Sequence, residues 1–234
     1  MAEGMKRVTL AAAVIIAVAL PWWGPLALRP MAFFAVRRVE VVGARYLPAD
    51  EVVRALGLGQ PASVWDDLDA LERRIRAMPG VAEAQVQRRL PGTLRVSLRE
   101  VEPVALAEGP VGLVPVGRDG HPLPYDPASA PVDAPVVARV EPAVLAALAQ
   151  IQATDPGLFA EVSAARAGRG GAVELELEEG IVRFAAPMDP EVIRSVSAVR
   201  RDLAARAVLW RELDARFKGW VIVRPRAAAT GGAA

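Results

Sequence analysis

The chain contains the sequence VRRVEVVGARYLPADEVVRALGL at residues 36–58 and MPGVAEAQVQRRLPGTLRVSLREVEPVAL at residues 78–106. At the start of the first stretch, Val39 and Val41 alternate with charged residues, and Gly43 ends the run. Successive side chains of a strand point to opposite faces, so this alternation predicts a short strand with one buried face.

Two helices are predicted between this strand and the second stretch. The first has Asp50 in its opening turn, where the helix dipole favours an acidic side chain, and Gly57 is placed to terminate it. The second has Asp66 available as its N-cap and stops at Pro79. Apolar residues recur at helical spacing in both helices: Val52, Val53 and Leu56 in the first, and Leu68, Leu71, Ile75 and Met78 in the second.

The second stretch predicts two antiparallel strands. Ala84 and Val86 alternate with polar residues before a Leu-Pro-Gly turn, and Val96 and Leu98 do so after it. In that turn, proline sets its own φ and Gly92 is free to adopt a positive φ. Three strands and two helices can bury both helix faces against one face of a sheet, which predicts a small two-layer α+β domain.

An apolar run without ionised side chains, residues 8–28, precedes this domain. At a rise of about 1.5 Å per residue its length is close to the ~30 Å thickness of the bilayer core, and we interpret it as a transmembrane helix. Residues 1–7 then form a short cytoplasmic tail, and residues 29–35 form a linker. A cleaved signal peptide and a buried helix are the alternatives. Basic residues flank the run on both sides, so charge alone does not fix its orientation.

Composition excludes several classes of function. The 234 residues include 28 basic and 27 acidic side chains, so no overall positive field attracts nucleic acid. The chain has no cysteine, which excludes thiolate catalysis and cysteine-ligated metals, and its one histidine, His121, lies beside a proline without a nucleophile nearby. We therefore expect no catalytic, cofactor-binding or metal-binding residues.

The two quoted stretches resemble the POTRA domain of the FtsQ/DivIB family of bacterial cell-division proteins. The resemblance rests on four motifs: VEVVG at 39–43, PGV at 79–81, RLPGTL at 89–94 and REVEPVA at 99–105. It implies a POTRA domain of order β-α-α-β-β over residues 36–106.

The resemblance continues into the second half and implies a mixed β domain with flanking helices over residues 107–226. Sequence patterns there predict a helix opening at Pro142, a hairpin across Gly180, and a helix capped by Asp189. The family's final pair of strands is matched by LDARFKGWVIVRP at residues 213–225. Small residues make up most of 227–234, which we expect to be a flexible tail.

In this family, the C-terminal strands of the β domain hold partner division proteins, notably FtsB with FtsL. Matching the motifs residue by residue implies that the partner-binding residues here are Arg216, Phe217, Trp220, Val221, Ile222 and Val223. An edge strand presents unpaired N–H and C=O groups, to which a partner segment can add as a further strand. The alternative for Phe217 and Trp220 is that they fill the core beneath the sheet.

The fold class is therefore α+β, with an N-terminal transmembrane helix, a POTRA domain and a mixed β domain. The resemblance implies a non-catalytic scaffold in the bacterial inner membrane, with its C-terminal domains extracytoplasmic at the division septum and with FtsB/FtsL-like partners. Nucleic acid, small-molecule substrates and cofactors are not expected. Two other functions stay open: a POTRA-bearing polypeptide chaperone for envelope protein transport or assembly, and an envelope hydrolase, which would need a pair of acidic residues in a cleft.

Overall fold

The structure, a computed structural model, describes residues 28–110, 112–126 and 130–226. The chain divides into two compact units, Met1–Glu100 and Val101–Ala234. Each unit has its own sheet and its own set of buried apolar side chains.

The predicted cytoplasmic tail at residues 1–7, the predicted transmembrane helix at 8–28 and the predicted flexible tail at 227–234 lie outside the described residues, apart from Leu28. Within the described ranges, no helix combines the length and the apolar character needed to cross a bilayer.

The first unit has the predicted order β-α-α-β-β. Its elements are β1 (Arg38–Val42), α1 (Ala49–Leu56), α2 (Leu68–Arg76), β2 (Val81–Arg89) and β3 (Thr93–Glu100). Strand β3 lies in the middle of the sheet, parallel to β1 and antiparallel to β2. The prediction of a two-layer α+β domain is confirmed, because the apolar faces of both helices are buried.

Two local predictions in this unit were wrong. Asp66 does not cap α2: the cap is Asp67, whose carboxylate accepts the N–H groups of the first turn, while Asp66 accepts the N–H of Ser63. Gly92 does not adopt a positive φ. Glycine is needed there for space, because a Cβ atom would lie 2.7 Å from the carbonyl oxygen of Ala35.

The predicted linker at residues 29–35 packs within the first unit. Ala32–Phe34 form one 3₁₀ turn, and Ala35 forms an isolated bridge with Ser63. The Val64 N–H donates to the carbonyl of Phe34 on the same side, at 3.0 Å. The chain therefore enters β1 from a fixed position.

Within residues 101–110, 112–126 and 130–226, the second unit contains one eight-stranded sheet and three α-helices. Strand order across the sheet is β11-β10-β9-β8-β7-β6-β4-β5. The strands are β4 (Ala105–Gly109), β5 (Gly112–Val116), β6 (Val136–Val137), β7 (Val162–Ala167), β8 (Ala172–Leu177), β9 (Ile181–Ala185), β10 (Trp210–Ala215) and β11 (Ile222–Pro225), and the helices are α3 (Pro142–Thr154), α4 (Pro156–Glu161) and α5 (Pro190–Ala205).

Local signals in the second half are confirmed where both partners lie close in sequence. β8 and β9 form the predicted hairpin, and Asp189 caps α5 by accepting the Glu191 N–H at 2.8 Å. The domain division differs from the predicted boundary at Leu106. Residues 101–106 belong to the second unit, because Leu106 pairs with Val136 of β6 and Ala105 pairs within the same sheet.

One face of the eight-stranded sheet is covered by helices. Its core contains Leu145, Leu148 and Ile151 from α3, Ile193 and Val196 from α5, and Leu175, Val182, Phe184 and Leu213 from the strands. Because side chains alternate between the faces of a strand, the residues between these apolar positions lie on the other face. That arrangement places β10 and β11, the predicted binding strands, at one end of a well-packed sheet.

Candidate partner-binding edge

Strand β11 is an edge strand, and within the described part of the chain its one neighbour is β10. The Arg226 N–H donates to the carbonyl of Leu209, just before β10, at 3.0 Å. Backbone groups of alternate residues point to the same edge, so those of Arg224 also face β10. The N–H and C=O of Val223 therefore point outward, and Pro225 offers a carbonyl there but no N–H.

The opposite edge of this sheet, β5, is covered by the chain itself. The Leu123 N–H donates to the carbonyl of Pro115 at 2.8 Å, and Pro122 forms a bridge with Val116. Pro115 also has no N–H to offer. A partner strand has fewer free backbone groups here than at β11.

The β2 edge of the first unit is closed by side chains of α2. A carboxylate oxygen of Glu72 accepts the Val86 N–H at 2.9 Å, and the Arg76 Nε–H donates to the carbonyl of Ala84 at 3.3 Å. Glu72 and Arg76 also form an ion pair with each other at 2.5 Å. Protein edges that are protected in this way resist pairing with another chain.

A β-turn connects β10 to β11 and presents aromatic side chains. The Trp220 N–H donates to the carbonyl of Phe217 at 3.0 Å, and Gly219, with φ +79°, occupies the position that requires a left-handed residue. The side chains of Phe217, Trp220 and Ile222 are 50%, 74% and 44% exposed. The alternative that the two aromatics fill the core is therefore wrong.

The two predicted valines have a different position from these exposed residues. Val221 and Val223 are partly buried and pack against the core of the second unit. They hold β11 in place through their side chains. The backbone N–H and C=O of Val223 point outward. Its side chain therefore stabilises β11, while its backbone is available to a partner.

Arg216 is held by a buried carboxylate. Its Nε and one terminal nitrogen lie 2.8 and 2.6 Å from the two oxygens of Asp214, which is 2% exposed. The hydrogen bonds from Arg216 hold the pKa of Asp214 below its usual range, and they raise the pKa of the Arg216 guanidinium. The Arg216 Cζ lies 5.8 Å from the centre of the Phe217 ring. The cation and the exposed ring thus form one fixed surface.

A row of alternating charges crosses the sheet on the face opposite the core. Each member comes from a successive strand, β7 to β11, and each contacts the next. The pairs are Arg166–Glu174 at 2.8 Å, Glu174–Arg183 at 2.9 Å, Arg183–Glu212 at 2.7 Å and Glu212–Arg224 at 3.2 Å. This row fixes the register of neighbouring strands and places a cation on the exposed side of β11.

Sequence reasoning did not identify every residue at this edge. The six predicted residues lie close in sequence, from Arg216, directly after β10, through the turn to Val223 in β11. Leu209, which is 68% exposed beside the end of β11, and Arg224 were not predicted. In residues 173–178, glutamates alternate with apolar residues, which is typical of a strand with one polar face, but no local pattern shows that the charges pair across five strands.

The family model described as an FtsQ-type POTRA domain matches residues 34–100. The cell division protein FtsQ of Mycolicibacterium smegmatis is 33% identical over 185 residues, which cover 77% of this chain and 54% of that protein. The cell division protein DivIB of Geobacillus kaustophilus is 30% identical over 105 residues, covering 44% of this chain and 40% of that protein. FtsQ of Myxococcus fulvus is 27% identical over 226 residues, which cover 86% of this chain and 79% of that protein.

The chain spans about half the length of the first of these relatives, with 54% of it aligned. Alignments that cover 77% and 86% of the chain are longer than either unit, so they include residues of both. The order of elements, the motifs of the first unit and these similarities agree: the chain belongs to the FtsQ/DivIB family of bacterial cell-division proteins and carries an FtsQ-type POTRA domain.

Proposed function

We propose that this protein is a non-catalytic, membrane-anchored scaffold of the division machinery, which holds another septal protein by strand addition along β11. The observation that carries the proposal is the open outer edge of β11 beside the exposed aromatic turn. The other edge of the same sheet and the β2 edge are covered, so β11 is favoured over these two edges for an added strand.

Stable binding of a partner at this edge requires favourable contributions from both its backbone groups and its side chains. A backbone hydrogen bond contributes about 0.5–1.5 kcal/mol net, whereas a dissociation constant of 1 μM corresponds to about 8 kcal/mol. The few outward backbone groups around Val223 therefore cannot supply this binding free energy by themselves. The side chains of Phe217 and Trp220 can supply it, because an aromatic side chain that becomes buried in an interface often contributes roughly 2 kcal/mol or more to the binding free energy.

The partner class proposed is an FtsB-like division protein, together with an FtsL-like one, on the extracytoplasmic side of the inner membrane. The apolar run at residues 8–28 is the proposed anchor. Anchoring confines both proteins to the membrane plane and raises their effective concentration, so a modest intrinsic affinity is sufficient.

A substitution at Val223 tests the edge directly. Val223→Pro removes the outward N–H and places a ring where the partner backbone would lie, while the residues on either side keep their bonds to β10. We expect co-purification of the FtsB-like partner from the same organism to weaken about ten-fold or more. Val223→Ala is the matched control, because it removes the same side chain and retains the N–H.

Hydrogen exchange of β10 amides checks that both Val223 variants keep the hairpin. Equal partner binding by the folded proline variant and the alanine control would refute strand addition at this edge. Equal loss in both variants would also count against it, since the side chain rather than the outward N–H would then be required.

Trp220→Ala tests the aromatic contribution. Because this side chain is 74% exposed, its removal leaves the melting temperature nearly unchanged, and we expect a loss of about 2 kcal/mol in partner binding. Leu113→Ala, an exposed apolar residue on β5, is the control and leaves binding intact. Unchanged binding of Trp220→Ala would remove the turn from the interface.

Cellular location tests the septal part of the proposal. A fluorescent fusion of the full chain is expected to form a midcell band during division. Uniform fluorescence around the cell periphery throughout division would contradict a role at the septum.

A further inference from the structure

The three most exposed large apolar side chains described in the first unit lie at one end of it. Met31, Phe33 and Leu90 are 51%, 61% and 59% exposed. Parallel pairing of β1 with β3 brings them together, because the start of β1 then lies beside the turn that precedes β3. The Arg37 N–H donates to the carbonyl of Gly92 at 2.8 Å, which joins the two segments.

The same end carries an excess of basic side chains. Residues 28–38 and 86–92 contain five arginines, of which Arg29 is paired with Asp66 at 2.7 Å. Arg37, Arg38 and Arg89 are exposed, and we call these three, together with Met31, Phe33 and Leu90, the basal rim.

The basal rim is backed by a rigid cluster. Phe34 packs edge-to-face on Trp65, with ring centres 5.6 Å apart. Arg88 lies over Trp65, with its Cζ 5.5 Å from the ring centre, and its Nε–H donates to the Val64 carbonyl at 2.6 Å. The apolar side chains of the rim therefore project from an ordered surface and are displayed together.

We propose that the basal rim docks into the headgroup layer of an anionic phospholipid membrane. Apolar side chains flanked by arginines suit this layer, because the apolar groups enter the acyl boundary while the guanidinium groups contact lipid phosphates. The inference rests on the anchoring part of the proposed function, and it adds a second contact that orients the POTRA unit on the membrane.

Chain connectivity favours lipid over a protein as the occupant. The rim begins three residues after Leu28, where the uncharged apolar run ends. A chain extends at most about 3.3–3.6 Å per residue, so Met31 can lie no more than about 10 Å beyond the end of that run. The headgroup region has a similar depth, roughly 5–8 Å on each side of the hydrocarbon core. Leu90 is held at the same end through the Gly92–Arg37 hydrogen bond.

The chain has no cysteine, so single-cysteine variants can be labelled at one site. We propose to label Leu90→Cys with an environment-sensitive fluorophore in the full chain, reconstituted in nanodiscs of phosphatidylcholine and phosphatidylglycerol. Emission is expected to shift to the blue and to be quenched by lipids carrying a nitroxide near the headgroup. Val42→Cys, 42% exposed at the other end of β1, is the control and retains water-like emission.

A charge variant tests the electrostatic part. Arg89→Glu changes the charge facing the membrane by two units, and we expect the docked-to-undocked ratio of the Leu90 probe to fall roughly thirty-fold. Arg45→Glu, in the exposed loop after β1, makes the same charge change away from the rim and is expected to have little effect.

The outcomes separate this inference from the proposed function. Water-like emission of the Leu90 probe in an inserted chain would overturn rim docking alone, and so would protection that appears only when another protein is added. A chain that alkaline carbonate extracts from the bilayer would instead refute the anchor, and the rim inference would fall with it.

Discussion

Glu100 and Asp214 are two buried carboxylates: the partners of Glu100 lie 53–55 residues away in sequence, whereas Asp214 pairs with Arg216, two residues further along the chain. Glu100, 6% exposed at the end of β3, accepts the N–H groups of three successive residues in the loop after β1, at 2.8–3.0 Å. Asp214 holds the guanidinium of Arg216 beside the candidate binding turn. A buried carboxylate persists in a fold when hydrogen bonds replace the water that it loses.

Glu100→Ala is expected to destabilise the first unit by about 2–4 kcal/mol, because three N–H groups lose their acceptor and at least one is buried. Hydrogen exchange at residues 45–47 measures the local effect. Arg99→Ala is the control: its partner Glu83 is exposed, and exposed pairs contribute about 0–1 kcal/mol. Equal destabilisation by both substitutions would contradict the role assigned to Glu100.

Asp214→Asn is expected to lower stability by about 1–3 kcal/mol at neutral pH, because the charge-assisted bonds to Arg216 are lost. The pKa of Asp214 is lower in the folded protein than in the unfolded chain, where an aspartate has a pKa of about 3.9. The stabilisation is thus present above the unfolded pKa and is lost as the pH falls through the folded pKa.

Urea denaturation at neutral and acidic pH measures this dependence. The difference between the natural chain and Asp214→Asn should shrink as the solution is acidified below about pH 4. Glu102→Gln, which removes an exposed carboxylate, is the control and should give a small difference at all pH values. A difference for Asp214→Asn that persists unchanged in acid would show that the carboxylate charge is not what stabilises the hairpin.

At the scale of elements, the edge strands of the two sheets differ in how far their outer backbone groups are covered. Side chains of α2 close β2, the segment at Pro122 and Leu123 covers β5, and β11 has an open outer side in the described structure. Unprotected edges pair with other chains. Protection of β2 and β5 therefore favours β11 over these two edges for strand addition.

The double substitution Glu72→Ala with Arg76→Ala is expected to open the β2 edge. The Val86 N–H and the Ala84 carbonyl then lose their side-chain partners and become available to a second molecule. We expect concentration-dependent dimerisation in sedimentation velocity experiments. The pair Asp69→Ala with Arg73→Ala, on the exposed side of α2, is the matched control. A monomeric double variant with an intact fold would show that the edge is closed by other means.

The sequence predicted those elements whose signals are local. Capping by Asp189, the turn at Gly180 and the alternation in β8 and β9 all involve residues a few positions apart. Strand β7 was not predicted, because VSAARA contains mostly small residues and its strand character comes from pairing with β6 and β8. Strand β6 has two residues and no periodicity to detect.

The candidate site shows the same division between local and non-local information. Residues 216–223 are contiguous, so a motif was sufficient to predict them together. Whether Phe217 and Trp220 are exposed depends on how β10 packs, which the alternation of LDARFK does not determine. The pairing of Arg224 with Glu212 and the closure of β2 by Glu72 require contacts that only the folded chain brings together.

For the molecule as a whole, the important feature is that each compact unit has its own core. In the first unit, Leu56, Val64, Ile75, Leu94 and Val96 are fully buried. The core of the second unit forms a cluster that contains only residues from its own side of the division. Separate cores predict that the two units unfold separately. A substitution that destabilises one unit is therefore expected to leave the other unit folded.

Leu94→Ala and Leu175→Ala test this independence, because both leucines are fully buried, one in each unit. Removal of a buried leucine side chain costs about 2–5 kcal/mol through lost burial and the cavity left behind. We expect hydrogen exchange to report that loss in the unit that carries the substitution, with the other unit changed by less than about 0.5 kcal/mol, as for distant sites. Parallel losses in both units for either variant would show that the chain unfolds as one cooperative body. In that case partner binding at β11 would depend on the integrity of the POTRA core, and Leu94→Ala would weaken it from a distance.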